Sequence, residues 1–148
     1  MKALKNLTAI ALLIFLFTSC GDKQTANLVK ELNSSYTYDG QEVELIGYLF
    51  PGKMTFVRGE SVNVGLYSAA GQSKGELAKV AVNFGQEANS IYMPKKFSGS
   101  EVEIYDNNGE KHGYLTKVKV TGTVKYANKE KDPADYSYKI TVQTITIP

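Results

Sequence analysis

The sequence predicts a mainly β protein: a small antiparallel barrel of five or six strands with one short N-terminal helix. Three observations carry this. Apolar and polar residues alternate with a period of two through most of the chain beyond residue 41, the pattern of strands with a buried face. Two of the longest alternating runs contain a glycine, Gly47 and Gly122, and glycine inside a strand marks a sharp bend or a close backbone approach. One early stretch has helical spacing, with Leu28, Val29, Leu32 and Tyr36 at i, i+1, i+4 and i+8.

The helix has a plausible stop at Asn33-Ser34-Ser35, and a helix this short is stable only when packed on something. From Glu42, the residues Val43, Leu45, Gly47 and Leu49 alternate with Glu44, Ile46 and Tyr48 as a first strand. Pro51-Gly52 is a turn signal, since Pro fixes φ and Gly accepts positive φ. Strands follow over Met54 to Arg58 and through Val62, Val64 and Leu66, then a loop from Ser68 to Glu76. Ala78, Val80, Val82 and Phe84 form another half-buried strand. Gly85 to Ser100 shows no period, and Pro94 interrupts any helix there. Val102 and Ile104 lead into Asp106-Asn107-Asn108-Gly109, a short strand and a hairpin turn. In the run from Leu115 to Tyr126, Val118, Val120, Gly122, Val124 and Tyr126 share one face, and Lys117, Lys119, Thr121, Thr123 and Lys125 the other. A charged loop spans Ala127 to Asp135, and Tyr136 to Ile147 is the last strand, whose apolar parity switches between Val142 and Ile145 and so predicts a bulge.

The first nineteen residues have a different character. Lys2 and Lys5 precede an unbroken apolar run from Ala9 to Phe17. That run is well short of the ~20 residues a membrane-spanning helix needs, but it suits a secretory signal. Phe17-Thr18-Ser19-Cys20, ending in the only cysteine of the 148 residues, resembles the lipobox of bacterial lipoprotein signals. The resemblance implies cleavage before Cys20, a diacylglyceryl thioether on its sulfur and an acylated new amino terminus. It thus implies a bacterial cell-envelope location, periplasmic or outer-membrane-associated, with the membrane as a partner through the lipid on Cys20. Residues 1–19 are then the signal, 20–25 a short polar tether and 26–148 the barrel domain. With Cys20 modified, no thiol remains for a disulfide, and the fold must hold by its hydrophobic core.

The formal charge of +2 comes from 17 Lys and Arg against 15 Asp and Glu. Lys2 and Lys5 account for the excess, so the chain beyond the signal is neutral and any attraction to polyanions must be local. A composition of 43% apolar and 22% charged residues excludes a disordered or collagen-like chain.

Tyr38 to Gly47, reading Tyr-Asp-Gly-Gln-Glu-Val-Glu-Leu-Ile-Gly, resembles the first strand of bacterial OB-fold proteins of the tRNA-anticodon-binding-like type. Val118 to Val124 followed by Ile140 to Ile147 resembles the closing strands of that fold. The region from Gly85 to Gly113 departs from the family pattern, including its usual helix between strands three and four. OB barrels bind ligands on the face of strands two and three and on the loops joining strands one to two and four to five. Carried onto this sequence, the resemblance points to Lys53, Arg58, Asn63 and Tyr67, and to the loop from Lys129 to Tyr136.

Catalytic chemistry finds little material. Zinc needs three or four His, Cys or carboxylate ligands, and His112 is the only histidine. It is read as a surface residue behind a hairpin turn. Asp106, Asn108 and Glu110 resemble the start of a calcium loop, but Gly109 is misplaced and no Glu closes it. Glu42 with Glu44, and Glu101 with Glu103, stand at i, i+2 and so share a strand face. Such pairs are usually solvated, so no enzyme, metal or cofactor is expected.

Binding is the stronger expectation. Arg58 with Tyr67 is suited to clamp an oligomer, although both residue types also pack on and cap small barrels. Lys117, Lys119 and Lys125 form a basic stripe that suits phosphates or simply guards a solvent-facing strand against aggregation. The second use is favoured, because glutamates on neighbouring strands can pair with it, and nucleic acid is not expected as a partner. The expected function is therefore a non-catalytic, lipid-anchored envelope binding or adaptor module for a glycan, peptide or protein. A single-stranded nucleic-acid binder and an envelope carbohydrate-active enzyme are the alternatives.

Overall fold

The computed structural model describes residues 20–52, 55, 57–71, 75–127 and 137–148. Five strands close a barrel: β1 (Glu42–Phe50), β3 (Ser61–Tyr67), β4 (Glu76–Phe84), β8 (Val118–Tyr126) and β9 (Tyr138–Thr146). Around the ring β1 pairs with β3, β3 with β4, β4 with β9, β9 with β8, and β8 again with β1. Four of these pairs are antiparallel, and the ring closes through the parallel pair of β4 and β9, where Val80 stands opposite Ile140. The chain is thus mainly β, an OB-like barrel with a single α-helix among the described residues. A two-residue strand, β2 (Val57–Arg58), pairs with the start of β3.

Alternation delivers the core. Val43, Leu45 and Leu49 of β1, Val62, Val64 and Leu66 of β3, and Val80 and Val82 of β4 turn inward. Val118, Val120 and Val124 of β8 meet them with Ile140, Val142 and Ile145 of β9. On β9, Thr144 pairs with Thr121 and Val142 with Gly122, so Gln143 is an extra residue that bulges out. That bulge produces the parity switch seen in the sequence and bends the strand around the barrel. At the same place a Cβ on Gly122 would lie 2.6 Å from the Thr141 carbonyl oxygen and 2.9 Å from Ile140 Cγ2. Glycine is needed there because the two backbones close up.

The helix, α1 (Cys20–Ser34), is longer than the sequence spacing indicates. Residues 20–25, read as a tether, are helical, and Thr25 is already buried at 2% exposure. The reason lies in β1. Its first half pairs with β8 but not with β3, which reaches only Tyr48 to Phe50. An open edge results, and the Ile46 N–H donates to Thr25 Oγ1 at 2.9 Å. Val29 and Leu32 then enter the core. The Tyr126 hydroxyl lies 2.9 Å from the Leu32 carbonyl and 2.8 Å from that of Ser35, serving helix-end acceptors that lack intrahelical partners.

Residues 85–113, the region that departs from the family pattern, hold no α-helix. They form a sheet extension from β5 (Ser90–Tyr92), β6 (Glu103–Tyr105) and β7 (Lys111–Gly113), with a single 3-10 turn at Gly99–Glu101. β5 runs parallel to the end of β4. Asn89, at φ 59, aims its side-chain oxygen at the Ile145 N–H, 2.7 Å away, and the Asn107 N–H donates to the Ile145 carbonyl at 2.7 Å. The extension therefore supplies β9 with partners beyond its pairing with β4.

Candidate functional site

The outer faces of β3 and β4, the start of β9 and the connection after β1 enclose a cleft of about 570 Å³. Arg58, Asn63 and Tyr67, three of the residues singled out in the sequence, all line it. Glu76, Lys79, Tyr138 and Lys139 complete its polar wall, with Gly52 and Thr55 at the connection. Lys53 and Tyr136 lie outside the described residues.

Strand alternation positions this wall. Asn63, Gly65 and Tyr67 face outward from β3, while Val62, Val64 and Leu66 face in. Lys79 pairs opposite Gly65, and Glu76 opposite Tyr67. The Tyr67 ring folds back over Gly65, where a Cβ would come within 2.4 Å of its ring carbon Cε2. Any other residue at 65 would lift the ring. Laid flat, Tyr67 is only 6% exposed, so it forms part of the wall and offers no open face for stacking. Of the two residues expected to clamp an oligomer, Arg58 is exposed and Tyr67 is packed.

Glu76 is the electrostatic centre of the wall. The Tyr67 hydroxyl donates to its Oε2 at 3.3 Å. Burial, then the Glu76 charge and that hydrogen bond, raise the Tyr67 pKa above its ordinary value. Burial also raises the Tyr138 pKa, opposed by a hydrogen bond with Asn33 and reinforced by the Glu76 charge. The Tyr138 ring rests on Tyr126, with centroids 5.7 Å apart. Arg58, Lys79 and Lys139 line the same cleft, and among the described residues none of the three has a carboxylate within 4.0 Å. Among the described residues the cleft lining thus carries three cations and one carboxylate.

Most of the lysine stripe is elsewhere. Lys119 and Lys125 lie on β8, Lys117 just before it, and β3 and β4 are the two barrel strands that do not adjoin β8. Lys117 and Lys119 therefore lie away from the cleft, whereas Lys125 stands directly opposite the cleft's Lys139 across the β8–β9 pair. Lys117 Nζ sits 2.7 Å from an Asp22 oxygen on α1, and Lys119 Nζ 3.3 Å from Glu44 on β1. Lys125 is exposed over Gly40. With two of three charges paired, the stripe is poorly suited to phosphate.

The two carboxylate pairs are placed differently. Glu101 lies in the 3-10 turn and accepts from the Ser98 N–H at 2.6 Å, whereas Glu103 on β6 accepts from Tyr105 at 2.7 Å, Gln86 at 3.0 Å and Lys111 at 3.3 Å. Glu42 and Glu44 line a shallow groove of about 720 Å³ with Glu31 and Lys23 between α1 and β1. His112 is partly buried rather than a plain surface residue, and its Nε2 lies 3.0 Å from Asp106 Oδ2. Asp106 Oδ1 accepts from the Asn108 and Glu110 N–H groups at 2.8 and 2.9 Å. The His112 hydrogen bond, followed by these backbone bonds, holds the Asp106 pKa below its ordinary value against the effect of burial. Asp106, Glu110 and His112 are the one group of three metal-ligating side chains drawn together among the described residues, but the Asp106 oxygens are engaged in clasping the β6–β7 hairpin.

Glu76, Lys79, Tyr138 and Lys139 were not singled out in the sequence. Alternation marks Lys79 as outward-facing; the register that sets it opposite Gly65 has no local signature. The chain matches no protein-family model and no curated protein sequence.

Proposed function

We propose that the chain is a non-catalytic, lipid-anchored binding module of the bacterial cell envelope, and that its cleft takes an acidic segment of a glycan, peptide or protein partner. The observation that carries this is the convergence of Arg58, Lys79 and Lys139, none paired with a carboxylate among the described residues, on the barrel face that OB-like folds use for ligands. Glu76 is the one carboxylate among the described lining residues, whereas glycoside hydrolysis uses two flanking the bond. Single-stranded nucleic acid draws affinity from stacking on exposed aromatic faces, and Tyr67 and Tyr138 are packed against Gly65 and Tyr126. The lipobox likeness at Phe17 to Cys20 supports the anchor, since several acyl chains exceed what stable anchoring requires.

Calorimetric titration of residues 20–148 carrying Cys20→Ser tests the cleft, with oligogalacturonate, oligoglutamate and single-stranded DNA as probes. Binding of one of the first two, weakened about tenfold (about 1.4 kcal/mol) by Arg58→Ala or Lys79→Ala, supports the proposal. Tight DNA binding with a steep salt slope, unaffected by these changes, refutes it. The anchor is tested by fractionating cells that express Cys20→Ser in the full chain: the variant should leave the membrane fraction after a salt wash.

A further inference from the structure

We infer that the apolar groove at the N-terminal end of α1 is a membrane-contact surface, holding the barrel directly against the bilayer with the cleft turned away from it. This rests on the lipid anchoring proposed above. Ile46, Thr116, Ile147 and Pro148 line the groove with Gly21, which abuts Ile46, and with the ion-paired Asp22 and Lys117 at its edge, and its volume is about 440 Å³. Ile147 is 43% exposed, and Leu115, immediately before Thr116, is 59% exposed. These are two of the four large apolar side chains left in the open among the described residues.

The occupant follows from where α1 begins. Cys20 is the first residue of the helix, Gly21 is already part of the groove, and Thr25 is in the core. Five helical residues advance only ~7.5 Å, about the depth of one headgroup layer, ~5–8 Å. A lipid on residue 20 therefore leaves no slack, and the surface beside it meets the interface. Charge does not oppose this approach, because Lys117 is paired with Asp22 and Lys119 with Glu44. The contact is apolar, so it holds on uncharged lipid and survives high salt. Orientation follows from the ring of strands: the groove lies by β1 and β8, and the cleft is centred on β3 and β4 across the barrel.

The test uses the full chain, processed in a lipoprotein-competent bacterium and reconstituted into phosphatidylcholine vesicles carrying nitroxide-labelled lipid. Leu115→Cys, Ile147→Cys and, in the cleft, Asn63→Cys each receive an environment-sensitive fluorophore, and mass spectrometry reads the state of Cys20. All three positions are at least partly exposed, so the label does not disturb the core, and circular dichroism checks each variant. The expected result is blue-shifted emission quenched by lipid at 115 and 147, with no quenching at 63, in low and high salt alike. A lipidated chain whose labels at 115 and 147 escape quenching overturns membrane contact and leaves the anchor standing. A Cys20 that remains a free thiol overturns both.

Discussion

Replacing Gly122 by alanine probes the closest backbone approach in the barrel. The new Cβ would stand 2.6 Å from the Thr141 carbonyl oxygen and 3.1 Å from its carbonyl carbon, both backbone atoms that no rotamer change can move. Overpacking of this kind costs about 1–3 kcal/mol, and a backbone obstacle places it at about 2–3. Alanine also narrows the unfolded ensemble, which offsets about 0.4–1 kcal/mol. The net loss is then about 1–2.5 kcal/mol, and at roughly 3–5 °C per kcal/mol for a domain of this size the midpoint falls by about 3–12 °C. Gly113→Ala is the matched control, since a Cβ there meets nothing within 4 Å. Its midpoint should stay level or rise slightly. Circular dichroism melts and urea titrations of residues 20–148 with Cys20→Ser measure both variants. A Gly122→Ala protein as stable as its parent, or shifted no more than Gly113→Ala, would refute the close-approach reasoning.

Leu32, fully buried where α1 enters the barrel, should cost about 2–5 kcal/mol on truncation to alanine, read as a lower urea midpoint. The Asp106 clasp should show in acid. Because its folded pKa is lowered, its stabilisation is complete above the unfolded value of about 3.9 and is lost as pH falls through the folded value. Urea midpoints against pH should therefore drop more steeply at low pH in the parent than in Asp106→Asn. Tyr67 and Tyr138 carry raised pKa values, so an ultraviolet pH titration should find them ionising above the ordinary value of about 10, with stability falling as pH rises through that range. Tyr67→Phe should remove one late-ionising tyrosine.

The barrel was legible because its determinants are local. Gly47 and Gly122 announced curvature, and Val142 against Ile145 announced a bulge that the register places at Gln143. The sheet extension was legible only at Val102 and Ile104 and the turn from Asp106 to Gly109, which mark β6 and its hairpin with β7. Its strands are only three residues long, too short to show a period, and its placement depends on Asn89 and Asn107 reaching Ile145 across the chain. The long helix was missed because residues 20–25 have no apolar stripe; Thr25 is buried to satisfy one N–H on β1. Half of the cleft followed from fold resemblance through Arg58, Asn63 and Tyr67. The other half, with Glu76 and Lys79 from β4 and Tyr138 and Lys139 from β9, depends on a cross-strand register and a parallel closure that no short motif encodes.

The cleft and the end of the stripe holding Lys117 and Lys119 are rival surfaces at separate places on one barrel, and amide chemical shifts separate them in a single experiment. Residues 20–148 with Cys20→Ser, labelled with nitrogen-15, are titrated with oligogalacturonate and with oligoglutamate. At least one probe should shift the amides of Arg58, Asn63, Tyr67, Lys79 and Lys139 and leave those of Lys117 and Lys119 in place. Shifts confined to the stripe, or none with either probe, would contradict a binding function seated in the cleft.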